Sequence, residues 1–196
     1  MSDSSTPDAE IPDADTAAIA DILRFAFDDG PSSRWFRKDP DFDAAVCARL
    51  GVHYEAAAAG AHDRWMETAE GCLALCLVLD QAPRNLFRGD ARAHGADAKA
   101  RAVTRHALER GFDRQLPQAR RMFLYLPLEH SESMADQNLC VRLMATLDED
   151  PEWLDYARRH RDIIARFGRY PHRNAALGRD STPEEVEFLS QPGSSF

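Results

Sequence analysis

Lysine is nearly missing from this chain of 196 residues: Lys38 and Lys99 are the only two, so arginine carries almost all of the positive charge. Where an arginine stands is therefore more informative than the fact that it is arginine. Cys47, Cys72, Cys76 and Cys140 form no C-x-x-C pair, which argues against a zinc-ribbon or dithiol site. Cys72 and Cys76 lie one helical turn apart in an apolar run and read as small buried hydrophobes with reduced thiols. No apolar run approaches the roughly 20 residues that cross a bilayer. The most continuous, Cys72 to Leu79, is far shorter, and no positive-then-apolar leader opens the sequence. A cytoplasmic protein without membrane contact is expected. A formal charge of -9 argues against general nucleic-acid binding, which favours a basic face. Nucleophile elbow, phosphate loop and dinucleotide fingerprint are all missing, and no cofactor or metal is expected.

What is present is helical. Residues 1–14 are acidic, polar and interrupted by proline, the composition of a flexible tail, and 15–196 reads as one all-helical domain. Ile19, Ile22, Leu23 and Phe27 recur at helical spacing, and Gly30-Pro31 ends that helix. Trp35 and Phe36 are expected to anchor the loop that follows. A second helix carries Phe42, Val46, Leu50 and Tyr54 as one stripe. The third, from Ala69, is apolar nearly all round and reads as a buried central helix. Pro83 should end it near Asp80. An Ala-rich helix closes at Gly111, and Pro117 opens the next. Ser133 with Asp136 suggests a capping-box-like start. Pro151 opens a long helix ending at Gly168, and Ser181-Thr182-Pro183-Glu184 starts a last short one. The fold class is all-α, roughly eight antiparallel helices joined by short connectors.

Polar chemistry gathers in three stretches. In LDQAPRNLFRG, Asp80 is placed at a helix C-terminus, where the macrodipole disfavours a carboxylate, so it needs a partner such as Arg84, with Asn85 beside it. In FLYLPLEHSESMADQ, His130, Glu132 and Asp136 surround a helix-to-helix corner. Asp136 heads the stripe Cys140, Leu143 and Leu147, a costly place for an unpaired carboxylate. The third stretch, Arg158 to Arg179, holds seven arginines against the single acid Asp162. Trp153, Tyr156, His160, Ile164 and Phe167 share one face of its helix. Arg159, Asp162 and Arg166 form an adjacent ladder of ion-pair spacing. Arg169, His172, Arg173 and Asn174 then crowd a proline-stiffened loop with donors suited to carboxylate or phosphate. One acid cannot neutralise so many cations, so acids from the other stretches fold over this loop, or an anion completes it, or both.

These stretches, with STPEEVEFL and the PGSSF ending, resemble a widespread bacterial family catalogued only as a domain of unknown function, from about Ile22 to the C-terminus. The resemblance implies an all-α fold similar to tetratricopeptide-like arrays, although the repeat consensus is missing. It implies no activity. It adds Gln81 and Arg161 to the recurring polar positions Asp80, Arg84, Asn85, His130, Glu132, His160, Asp162, Arg169, His172, Arg173 and Asn174. Ala82 stands where the family typically has Phe. Glu129 stands where it typically has an apolar residue, and adds negative charge beside His130.

The leading expectation is an interhelical Arg/His/Asp pocket that binds or processes an anionic small molecule, phosphorylated compounds included. Its candidate catalytic groups are His130, Glu132, Asp136 and His160, with Glu132 or Asp136 orienting a proton-transferring histidine. Its candidate ligand-binding groups are Asp80, Gln81, Arg84, Asn85, Arg161, Asp162, Arg166, Arg169, His172, Arg173 and Asn174. One alternative is an interaction module whose groove clamps an acidic peptide or a C-terminal carboxylate, including the Phe196 end of a neighbouring copy. The other is a buried polar network that only fixes the helix arrangement.

Overall fold

The computed structural model describes residues 14–194. The expected acidic tail, apart from Ala14, and the terminal Phe196 lie outside the described residues. Among those residues the chain is helical and carries no strand.

The elements are α1 (Ala14–Phe27), α2 (Pro40–Ala58), α3 (Ala69–Cys76), α4 (Ala82–Leu86), α5 (Asp97–Glu109), α6 (Gln118–Glu129), α7 (Met134–Met144), α8 (Pro151–Phe167) and α9 (Pro183–Leu189), with short 3-10 turns between them. Three of the starts share one local grammar. Asp39, Asp150 and Thr182 each precede a proline, and each side chain accepts from backbone N–H groups of the first turn. The cap satisfies donors that no preceding turn can reach, and proline loses nothing at a position whose N–H would be unpaired anyway. Thr182 and Glu185 complete a reciprocal capping box. At α7 that expectation fails. Ser133 holds the cap position without a side-chain bond, because Ser131 Oγ takes the Ser133 N–H and in turn donates to Asp136.

Phe42, Val46, Leu50 and Tyr54 are buried as one stripe of α2. Leu73, Ala74, Leu75, Leu77, Val78 and Leu79 are fully buried, and α3 packs against α1, α5 and α6, so this segment is the central helix. α6, α7 and α8 stack as successive neighbours. Trp35 is buried against Phe25 and Phe42, whereas Phe36 stays 56% exposed while stacking on Phe123. All four cysteines are free thiols, three of them buried. No helix among the described residues is long and apolar enough to cross a membrane.

Two sequence expectations need correction here. The central helix does not end near Asp80. It widens into a π-helical turn, Leu77–Gln81, and continues into α4. The Ala82 N–H reaches back five residues to Leu77 O, a slackening that makes room for the Pro83 ring, which would clash in a tight α turn. Asp80 is thereby held inside a continuous run rather than at a C-terminus. On α8 the buried face runs through Ala157, His160, Ile163 and Ile164, and Tyr156 is exposed. The apolar stripe is centred one position further along than the aromatic residues suggest.

Candidate functional site

The π turn aims Asp80 at the end of α6. His130, the C-cap of that helix, places Nδ1 2.9 Å from both carboxylate oxygens of the fully buried Asp80. Gln81 Nε2 donates to Asp80 Oδ2 at 2.6 Å, and Arg84 Nη1 lies 3.3 Å from Oδ1. Arg84 also donates from both terminal nitrogens to Asp97, at 3.1 and 3.3 Å. Asp97 opens α5 and is approached by His94 Nδ1 and by Arg173 Nη1, each at 3.6 Å. Arg173, in the 3-10 turn Pro171–Arg173, donates to the His130 carbonyl at 2.9 Å and lies over the Tyr170 ring, 4.4 Å from its centre. Asp80, Arg84, His130, Asp97 and Arg173 thus form one connected set drawn from four parts of the chain.

Burial and charge work against each other in this set. Burial is the largest influence on Asp80 and would raise its carboxyl, but Arg84 and His130 outweigh it and hold the group below its ordinary value. Asp97 is likewise depressed despite burial, chiefly by Arg84. Burial lowers the basicity of His130, reinforced by Arg84. It takes His160 and His172 down to about 3 each. Arg173 falls to about 10 through burial and the neighbouring Arg84. A cationic form is hard to hold here, so the imidazoles are neutral near pH 7.

Behind His130 lies a second layer. Glu129 is 4% exposed, with Oε1 3.5 Å from His160 Nδ1 and Oε2 4.0 Å from the Cys140 thiol. Burial, then Asp80, pushes its carboxyl up to about 8, so it carries a proton near pH 7 and does not add the negative charge expected beside His130. His160 Nδ1 approaches the Tyr156 carbonyl at 2.8 Å. The Gln137 amide and the Tyr170 hydroxyl both donate to the Glu129 carbonyl, at 2.6 and 2.5 Å, and the amide also donates to Ser131 O at 2.7 Å.

The other predicted residues are placed elsewhere. Glu132 does not orient His130. It takes the Tyr170 N–H at 2.8 Å and a forked pair from Arg179 at 2.8 and 3.0 Å. Asp136 faces Ser131 Oγ, Arg105 and Arg101. Asp80 is the acid that meets the imidazole. Asn85 turns the opposite way and donates to Asp43 on α2 at 2.7 Å. Arg169 forks onto Glu185 at 2.7 and 2.8 Å, and Asn174 Nδ2 reaches Ser181 and Glu185. Arg161 pairs with Asp162 at 2.7 Å, and Arg166 pairs with Glu184 at 2.8 Å, both on the surface. The expected ladder of Arg159, Asp162 and Arg166 does not form, because α9 supplies a better-placed acid. Three of the seven arginines of the third stretch, Arg166, Arg169 and Arg173, thus meet acids that sequence reasoning passed over, Glu184, Glu185 and Asp97. Tyr170, Gln137 and Arg179 were also missed. Glu185 had a usable signal as the partner in a capping box, and Asp97 as an acid at the head of an alanine-rich helix.

The clamp around Glu185 leads to a pH prediction. Arg169 and the Thr182 N–H hold its carboxyl down to about 2, against an ordinary 4.5. A carboxyl depressed on folding contributes stability above its unfolded value, and that contribution disappears as pH falls toward the folded one. The urea midpoint of Glu185→Gln should lie below that of the native chain at pH 6, and the two should converge toward pH 2. A constant gap across that range would show that the carboxylate is not the stabilising form.

His130, Arg84, His94 and His172 are partly exposed around the buried Arg173 and Asp97. A cavity of about 320 Å³ is lined by Tyr54, Phe87, Arg92, Gly95 and Ala96 among others, the last two lying between His94 and Asp97 in the chain. A wider one of about 680 Å³ lies away from the cluster, between α1 and the turn Asp63–Glu67.

None of the curated proteins matches the chain. Among solved structures, a protein of unknown function from Agrobacterium tumefaciens is 43% identical, with a TM-score of 0.85 over 89% of this chain and 98% of that one. A family profile described as "Bacterial protein of unknown function (DUF924)" matches residues 22–193. With nearly the whole fold inside that match, the chain belongs to this bacterial family.

Proposed function

We propose that the mouth formed by Arg84, His94, His130, His172 and Arg173 binds a small anionic molecule, with carboxylate or phosphate as the recognised group. The observation that carries this reading is Arg173. Its side chain is 7% exposed, its Nη1 donates to a neutral carbonyl and lies 3.6 Å from an Asp97 carboxylate oxygen, and its buried Nε has no hydrogen-bond partner. A buried cation so loosely matched is costly, and an anion entering beside Arg84 would complete its compensation. The cavity at Gly95 and Ala96, next in the chain to His94 and Asp97, offers room for an apolar or sugar-like extension against Tyr54 and Phe87. The reading includes a cytoplasmic address, which the unpaired thiols support.

The test is thermal melting of the chelator-treated protein with orthophosphate, pyrophosphate, citrate and phosphorylated sugars. Saturation at one hundred times Kd stabilises by about 2.7 kcal/mol, which for a chain of this length is a melting shift of about 5–10 °C. His172→Ala, at the partly exposed rim, should weaken the response. No shift with any anion in the panel, or an equal shift in the variant, overturns the reading.

The clamp of Glu132, Arg179, Asn174, Arg169 and Glu185 favours a structural role for that half of the polar residues, since each charge there is already paired. It fastens the C-terminal segment over the corner between α6 and α7.

A further inference from the structure

The buried acids differ in how they are compensated. Asp80, Asp97, Asp136 and Glu185 each face at least one arginine. Asp113 and Glu129 have no arginine ion pair among the described residues; Asp113 accepts from the Tyr125 hydroxyl at 2.8 Å, whereas Glu129 has the His160 imidazole at 3.5 Å and the Cys140 thiol at 4.0 Å. A carboxyl group in that position is tolerated only with a proton or with some other cation beside it. The groups around it are the ones that hold a metal. A carboxylate oxygen of Glu129 and one ring nitrogen each of His130 and His160 lie within 4.8 Å of one another.

The surroundings of the two imidazoles strengthen the case. Histidines that bind metal through one nitrogen usually donate the other N–H to a carboxylate or a backbone carbonyl, which fixes tautomer and ring orientation. His130 has its Nδ1 on the Asp80 carboxylate, and His160 has its Nδ1 on the Tyr156 carbonyl. On that pattern each ring would coordinate through Nε2, with His160 turning from its present contacts to do so. Asp80 is held in turn by Gln81 and Arg84, so the support extends two residues deep.

From this juxtaposition we infer that Glu129, His130 and His160 form a binding site for one divalent transition-metal ion of the zinc type. Two imidazoles and a carboxylate match the ligand preference of zinc, cobalt and ferrous iron. Bonds of about 2.1 Å at tetrahedral angles hold ligand atoms roughly 3.4 Å apart, so closing the site takes side-chain rotation and leaves the helices in place. The fourth position would face His130, the most exposed of the three at 14% of its side chain. That opening is toward Arg84 and Arg173. Glu129 gives up its proton to solvent as the ion enters. The site stands on an observation separate from the anion reading.

The probe is Co²⁺ added to chelator-stripped, dialysed full-length protein, followed by visible absorption and then displaced by Zn²⁺. One equivalent should bind with the intense visible bands of a low-coordinate ion. Glu129→Gln and His160→Ala should each weaken binding beyond the about 10–100-fold that loss of a supporting residue such as Asp80 costs. His172→Ala should leave it unchanged. Far-UV circular dichroism checks that each variant is folded. If one is not, nitrogen NMR on the native chain decides, since only the His130 and His160 rings should shift at one equivalent. Failure to bind one equivalent overturns the site, and so does binding that survives both ligand variants. Loss of binding in His62→Ala also overturns it, because the half-buried pair His53 and His62, with ring nitrogens 3.3 Å apart, would then be the true ligands. Metal failure leaves the anion assay, run with chelator present, to stand or fall separately.

Discussion

Arg84→Ala is expected to destabilise the protein by about 3–5 kcal/mol, the range for removing one partner of a buried ion pair, and to lower the melting temperature by about 6–20 °C. The reason is the number of carboxylates that depend on this guanidinium. Arg84 reaches Asp80 Oδ1 at 3.3 Å and forks onto Asp97, and its side chain is 19% exposed, so water replaces little of what is lost. Asp80 keeps His130 and Gln81, but a neutral imidazole and an amide do not balance its charge. Asp97 keeps Arg173 and His94 at 3.6 Å, beyond good hydrogen-bond length. Arg84→Lys should recover only part of the loss, because an ammonium cannot present two N–H groups in the plane of a carboxylate. In a double-mutant cycle, Asp97→Asn should cost less in the Arg84→Ala background than alone. Chemical denaturation of the four proteins measures both quantities. A loss below about 1 kcal/mol, the level of an exposed pair, would mean that the two aspartates are already solvated or protonated.

How much of this was legible in the sequence depended on the range of the interaction involved. Helix starts at Asp39, Asp150 and Thr182 follow from bonds within one turn, and the α2 stripe from a period within one helix, so a linear reading reaches them. The turn at Asp80 was misread because proline's local preference pointed to a stop, whereas the buried apolar segment on either side has more to gain by staying helical through a π turn. The pairing of charges was harder still. Asp80 meets His130 fifty residues away, and Arg179 meets Glu132 forty-seven away, and no periodicity links such positions. Density of arginine in the third stretch correctly marked a region where charges must be matched. It did not say which acids match them: Glu184 of α9 takes the place on Arg166 that local spacing had given to Asp162, and Glu185 takes Arg169. Glu129 shows the same limit from the other side. As a sequence feature it is one acid next to a histidine. Only its burial between His160 and Cys140 turns it into an uncompensated group.

Gly71→Ala should reverse the usual sign of a glycine-to-alanine change in a helix. Alanine in an ordinary helical position is worth up to about 1 kcal/mol over glycine, and nothing in the chain direction forbids it, because Gly71 has helical geometry within α3. Space forbids it. A Cβ at this position would stand 2.0 Å from the Trp65 carbonyl oxygen, 2.8 Å from its carbonyl carbon and 2.8 Å from Thr68 Oγ1. The two Trp65 atoms are backbone and cannot rotate away, and Thr68 Oγ1 can move only by leaving its cap bond. Trp65 is buried at 2% exposure, its carbonyl receives the Thr68 N–H, and Thr68 Oγ1 is the cap that accepts from Gly71 N at 3.0 Å. Relief therefore requires moving the 3-10 turn Asp63–Glu67 off the first turn of the central helix or giving up the cap, which alone contributes about 1 kcal/mol. Overpacking of this kind costs about 3 kcal/mol, so the melting temperature should fall by roughly 6–12 °C, with a change in Trp fluorescence as Trp65 is displaced. Thr68→Ala measured alone separates the cap from the clash, and the glycine variant must lose clearly more. A variant as stable as the native chain, or more so, would mean that the turn and the helix do not approach this closely, and the packing of α3 at the centre of the fold would have to be redrawn.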